Sequence, residues 1–163
     1  MTDKDRTLLL SHLNNTGIFV TLGRKTPNIM VTHWGTLGKM WGRDVFVLPV
    51  RSSKYSYQII TQTGSFALNV PARDMRSEIS RCDTISGFKC NKFQELGLHA
   101  KRARTIEAYV LGECGLIVEC KVIAQIPPEA ITDVTGELFP ASSSGSRPHT
   151  LFVGEIAESY KLN

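Results

Sequence analysis

The sequence lacks most of the features that make a function easy to assign. Its apolar stretches are short and interrupted, so none can span a bilayer. The start, Met1 to Arg6, is polar and mixed in charge, and Leu8-Leu9-Leu10 is too short for a signal-peptide core. These absences imply a cytoplasmic protein. No charge of one sign dominates, since 19 Lys and Arg stand against 15 Asp and Glu. The densest basic group, Lys101-Arg102-Ala103-Arg104, is followed by Glu107 and carries no interleaved aromatics. It reads as a solvated surface segment rather than a nucleic-acid patch. The net charge of +4 nevertheless suits anionic partners, a phosphorylated cofactor among them.

Cysteine chemistry is also sparse. Cys82, Cys90, Cys114 and Cys120 form no C-x-x-C pair and match no zinc-finger or ribbon spacing, so reduced thiols are the default and no metal is expected. There is no G-x-S-x-G, no H-E-x-x-H, no G-x-G-x-x-G and no P-loop. His12, His33, His99 and His149 lie far apart and read as structural or surface residues. Internal repeats and linker tracts are missing too. A length of 163 residues, 42% of them hydrophobic, fits one domain around a sizeable core.

What is present is mainly strand. Residues 17–22 (GIFVTL) and 28–34 (NIMVTHW) are β-rich runs joined by a loop longer than a tight hairpin. Residues 44–50 (DVFVLPV) make a third, in which Pro49 requires a bulge or an edge because it cannot donate to a ladder. Ser52 or Ser53 can cap a short helix carrying Tyr55, Ile59 and Ile60 on its apolar face and ending at Gly64. Residues 65–70 are a strand closed by Pro71. Residues 72–81 read as a helix with Met75 and Ile79 on one face. Ser86-Gly87 marks a turn, and Asn91 to Leu96 a short helix stopped by Gly97. Strand character returns from 107 to 126 and again from 149 to 159, separated by a Ser/Gly/Pro loop at 140–148 expected to be exposed and mobile. The pattern is too irregular for βαβ units and predicts a mainly β, mostly antiparallel barrel with short helices.

One stretch stands out chemically. Arg51-Ser52-Ser53-Lys54 leaves a strand and enters a helix, which places hydroxyls, cations and free backbone N–H groups at one helix N-terminus. That is a competent phosphate site. The alternative is a capping serine with solvated charges beside it.

A family resemblance runs through the same segments. Asn28-Ile29-Met30-Val31-Thr32-His33-Trp34-Gly35-Thr36-Leu37-Gly38 with Trp41-Gly42, then Val50-Arg51-Ser52-Ser53-Lys54-Tyr55-Ser56-Tyr57, resemble the opening motifs of flavin reductase-like, FMN-binding split-barrel proteins of the flavoredoxin type. Phe66 to Pro71, Cys82 to Gly87 with Lys92-Phe93, Glu119-Cys120-Lys121 and His149 to Ile156 are similar to that family's later segments, in the same order.

The resemblance implies a homodimer with FMN on the barrel surface near the subunit interface. Asn28, Ile29, Met30, Val31 and Thr32 would run beside the isoalloxazine, their backbone groups meeting its polar edge. Trp34 would pack near the ring or in the core. Arg51, Ser53 and Lys54, with Tyr55 in the same motif, would hold the phosphate. Asn69, Ser86 and Gly87 would complete the pocket, and Lys92 would close over it. The implied activity is hydride transfer from NADH or NADPH through FMN, with electrons passed to a protein or small acceptor. The alternatives are an FMN electron carrier without its own nicotinamide site, and a split-barrel binding module. Two departures concern the middle segment: Asp83 stands where the family commonly has glycine, and Phe88-Lys89-Cys90 replaces its usual Arg-Asp-x. The sequence also ends at Asn163, where many relatives continue. Cys82 reads as a small buried packing residue, the other reading being a redox thiol.

Overall fold

The computed structural model describes residues 1–137 and 149–162; the loop at 140–148 falls outside them. The first element corrects the sequence reading, which finds no structure before residue 17. Helix α1 (Asp3–Asn14) begins at a capping box, in which the Thr2 hydroxyl meets the Asp5 N–H and the Asp5 carboxylate accepts the Thr2 N–H at 3.1 Å. Leu9 and Leu13, one turn apart, are its buried contacts.

Strands β1 (Ile18–Leu22), β2 (Asn28–Thr32), β3 (Thr36–Met40) and β4 (Arg43–Arg51) follow. The run expected as one strand to residue 34 stops at Thr32, because the Thr32 hydroxyl donates to the Trp34 carbonyl (2.7 Å) and accepts the Trp34 N–H (3.2 Å), turning the chain. Helix α2 (Tyr55–Thr63) ends on left-handed Gly64 as expected, and β5 (Ser65–Pro71) follows. Helix α3 (Arg76–Thr84) starts later than the sequence suggests, with its N-cap Met75 and its own Ile79 buried. Helix α4 (Lys92–Leu96) is capped by Asn91 and closed by Gly97. The stretch read as strand from 107 is divided. A small hairpin pairs β6 (Ala100–Arg102) with β7 (Tyr109–Leu111), and only then come the long strands β8 (Cys114–Ile126) and β9 (His149–Lys161).

The main sheet has seven strands in the order β2-β1-β5-β8-β9-β4-β3, every neighbouring pair antiparallel. Laid flat, it would hold its edge strands about 28 Å apart. Yet β2 and β3 are its two edges and are joined only through residues 33–35, a link that reaches at most about 14 Å. The sheet therefore curls until its edges approach without pairing, giving an antiparallel barrel with one split. Gly35 sits in that link under the Phe46 ring, where a Cβ would collide with it. Pro49 needs no bulge: it pairs with Leu151 in an unbroken register and lies past Thr36, the last β3 residue opposite β4, so one of its sides is an edge.

Strands β1, β2 and β5 are buried along their whole length because both faces are covered. Ile18, Val20, Leu68 and Phe66 pack inside the barrel with Leu9 of α1 and Ile59 and Ile60 of α2. Phe19, Ile29 and Ala67 pack outside it, under Ile79, Phe93 and Leu111. No helix among the described residues is long and apolar enough to cross a membrane.

Candidate functional site

Two adjoining cavities open along β2 at the split. The larger, about 420 Å³, lies between Met30–Trp34 on one side and Pro49–Arg51 with His149 on the other. The smaller, about 170 Å³, is walled by Asn28, Ser53, Tyr55, Ser56, Ser86, Gly87 and Lys92, with Asp83 and Phe88. Met30 and Lys54 line both. Because β2 is an edge strand, one row of its backbone groups has no ladder partner on the side of the split.

Helix α2 enters the smaller cavity with an open end. Its N-cap is Lys54, not Ser52 or Ser53, and no side chain caps it, so the first-turn N–H groups are left without the acceptor that the sequence reading assigned. Ser56 is buried, and its hydroxyl accepts the Asn28 amide at 2.9 Å. Gly87 is glycine for reasons of space: a Cβ there would strike the Asn28 carboxamide oxygen and lie 2.9 Å from Tyr55 Cδ1. Among the described residues no carboxylate pairs with Arg51, Lys54 or Lys92. Lys92 is only 7% exposed, and its ammonium donates to the Cys82 carbonyl at 2.7 Å. It is thus built into the cavity wall instead of closing over the opening.

The larger cavity has one built-in constraint. Arg51 Nε donates to His149 Nε2 at 3.3 Å, which requires the imidazole to be neutral at that nitrogen. Burial lowers the His149 pKa, and the positive charges of Arg51 and Lys54 lower it further. Trp34 stands edge-on to His149, ring centroids 5.1 Å apart, and is 59% exposed, so it belongs to the cavity mouth and not to the core.

Two of the sequence candidates are not brought to either cavity. Ile29 turns its side chain to the outer core, and its carbonyl accepts the Cys82 thiol at 3.8 Å. Asn69 is fully buried on the hairpin side, donating to Thr21 Oγ1 (2.9 Å) and the Ala67 carbonyl (3.0 Å) while accepting the Leu111 N–H (2.8 Å). Both polar atoms of that amide are spent on structure: the nitrogen ties β5 to β1 and to its own strand, and the oxygen holds β7 to the barrel. The candidates for one phosphate group are also divided: Arg51 lines the larger cavity, Ser53 the smaller, and Lys54 stands between them. Sequence reasoning missed His33, Pro49 and His149 in the larger cavity and Ser56 in the smaller. The signal for His149 is its place opposite Arg51 in the β4–β9 register, which only strand pairing reveals. Cys82 is a packing residue, fully buried, its thiol pushed up to about 11 by burial, with the Lys92 charge pulling the other way. The described residues contain no cluster able to hold a metal ion.

The donor set matches a flavin mononucleotide in kind. The small cavity offers hydroxyls, amines and an open helix end to a phosphate, and the larger one is a slot between two strands of suitable size for a planar ring. Comparison with known proteins points the same way. A family model for a flavin reductase like domain matches residues 13–161. An uncharacterized protein of Archaeoglobus fulgidus is 26% identical over 137 residues, covering 84% of this chain and 67% of that one. The fold is similar to flavoredoxin of Desulfovibrio vulgaris (Miyazaki F), with a TM-score of 0.70 and 24% identity over 89% of this chain and 68% of that one. It is also similar to an NADH:FAD oxidoreductase of Streptomyces globisporus C-1027, with a TM-score of 0.68 and 16% identity over 99% and 86%. The chain belongs to the flavin reductase-like domain family and has its split-barrel fold.

Proposed function

We propose that this protein binds FMN across the two cavities and passes hydride from NADH or NADPH through it to a small or protein acceptor. The observation that carries the reading is the pair of adjoining cavities, sharing Met30 and Lys54: the uncapped helix end, Lys54 and Lys92 border the smaller, Arg51 borders the larger, and none of the three cations has a carboxylate partner among the described residues. Bound flavin would supply the hydride-accepting chemistry. The chain's own residues then bind and orient. Lys54, Lys92, Ser53 and the first turn of α2 hold the phosphate, and the edge of β2 offers its backbone groups to the ring. Arg51, held by His149, keeps a positive charge beside the ring cavity, where it favours an electron-rich bound state. Trp34 covers the mouth and restricts water. No side-chain acid or base is needed.

A homodimer is part of this proposal. Trp34 (59% exposed) and Trp41 (67% exposed) leave large apolar area uncovered on one chain, which a second copy would bury. The compartment we propose is the cytoplasm.

The test is the visible spectrum of the purified protein, with FMN added if it is colourless, before and after anaerobic NADH or NADPH. Flavin absorption that bleaches rapidly with the nicotinamide supports the reductase. Flavin that bleaches only with dithionite replaces that reading by an electron carrier, the role suggested by the likeness to flavoredoxin. Failure to bind FMN at all would overturn both.

A further inference from the structure

The smaller cavity is lined by Lys54, Lys92, Ser53, Ser86 and the open end of α2, all suited to an anion, and by one carboxylate, Asp83. Nothing local accounts for that residue. Asp83 stands in the last turn of α3 (Arg76–Thr84), where the partial negative charge of the helix end disfavours a carboxylate. It is exposed, and its side chain forms neither an ion pair nor a hydrogen bond among the described residues. Its charge nevertheless acts on the same space as the lysines. Burial dominates the raised Cys82 pKa, but Lys92 pulls it down, Asp83 pushes it up and Lys54 pulls it down, so one sulfur senses all three charges. A carboxylate without a partner in a cavity built for an anion opposes whatever anion enters it.

We propose that Asp83 is a specificity-determining residue: its charge opposes the flavin phosphate and so limits the preference of the site for FMN over riboflavin. The inference rests on the flavin reading given above. Lys54, Lys92 and the helix end attract the phosphate, and Asp83 cancels part of that attraction without touching the ring cavity. Repulsion between a solvent-exposed carboxylate and a phosphate dianion in one cavity amounts to a factor of roughly five in affinity.

Equilibrium titration of the full chain, freed of any bound flavin, with FMN and with riboflavin tests it in wild type, Asp83→Asn and Asp83→Glu. Asp83→Asn keeps the shape of the side chain and removes its charge. It is expected to bind FMN about fivefold more tightly while riboflavin stays within about twofold, and the gain shrinks in high salt. Asp83→Glu keeps the charge and stays close to wild type for both flavins. A gain in affinity cannot come from a damaged fold. Unchanged or weaker FMN binding in Asp83→Asn overturns the proposal, and so does an equal gain for riboflavin, which lacks the phosphate. Tightening of FMN by magnesium in wild type but not in Asp83→Asn would show the carboxylate holding a bridging cation, the opposite sign of effect, and would overturn it too. Each of these outcomes leaves the flavin reading standing, whereas a wild type that binds neither flavin removes both.

Discussion

Glu119 and Lys92 are both buried charges without an ion-pair partner among the described residues, and their surroundings differ in an informative way. The Glu119 carboxylate is enclosed by donors: the N–H groups of Arg104 and Thr105 at 2.7 Å each, and the hydroxyls of Thr105 and Tyr160 at 2.6 Å. Burial pushes its pKa up, but these hydrogen bonds outweigh burial and hold it below the usual glutamate value. The charge is fully accounted for within the chain, and its work is to fasten the 103–105 loop to β8. The Lys92 ammonium has one short acceptor, the Cys82 carbonyl, and a distant contact to the Cys82 sulfur. An ammonium has three donors. Where the hairpin side of the barrel satisfies its polar groups, the cavity side leaves cations and a helix end open. Complete satisfaction marks a structural centre, and incomplete satisfaction of one sign marks where a ligand of the other sign belongs.

The comparison can be broken most severely at Glu119. Glu119→Ala strands several buried donors and should cost about 4 kcal/mol of stability in urea unfolding, with flavin affinity per folded molecule unchanged. A large affinity loss in the surviving folded protein would show that the two centres are not separate. Next in size, Lys54→Ala should weaken FMN about thirtyfold, near 2 kcal/mol, while leaving riboflavin binding and the unfolding midpoint nearly unchanged. Unaltered FMN affinity would remove the phosphate assignment. Lys92→Met sharpens the contrast, because it exchanges binding for stability. FMN affinity should fall about tenfold and stability stay level or rise by about 1 kcal/mol, the opposite of Glu119→Ala in the same unfolding assay.

The smallest effect concerns pH. His149 titrates below its usual value in the folded protein, so its neutral form is favoured there and the unfolded chain takes up the proton first. Its contribution to stability is complete above about pH 6.5 and is lost as pH falls through the lower folded value, as the Arg51 contact breaks. The loss should be below about 1 kcal/mol between pH 7.5 and pH 5, read from urea midpoints. His149→Gln keeps an acceptor for Arg51 but cannot titrate, and should flatten that part of the profile. An identical profile in the variant would assign the pH dependence elsewhere.

Much of this molecule is written locally. Gly64 and Gly97 stop helices where the sequence places them, because left-handed backbone after a helix favours glycine. The runs at β1, β2, β5, β8 and β9 are identifiable from their composition alone. The short β3, TLGKM, has no strand-like composition and exists because β4 offers it a ladder, and α1 is easily passed over because only Asp5, Leu9 and Leu13 of its residues are buried. Within the site, the strand-to-helix step at Arg51–Lys54 and the turn at Ser86-Gly87 were visible as chemistry in the sequence.

The sequence by itself determined most of the element types, though not α1 or β3, and with them the antiparallel barrel class, the candidate anion site and, through ordered motifs, the family. Tertiary structure alone decided which side of each strand those residues occupy. It sent Asn69 and Ile29 away from the cavities, set His149 against Arg51 across β4 and β9, and left α2 uncapped. The physical reason is that a strand's residues alternate between two faces. When both faces are buried, as in β1, β2 and β5, hydrophobicity no longer tells one face from the other, and only the curl of the sheet does.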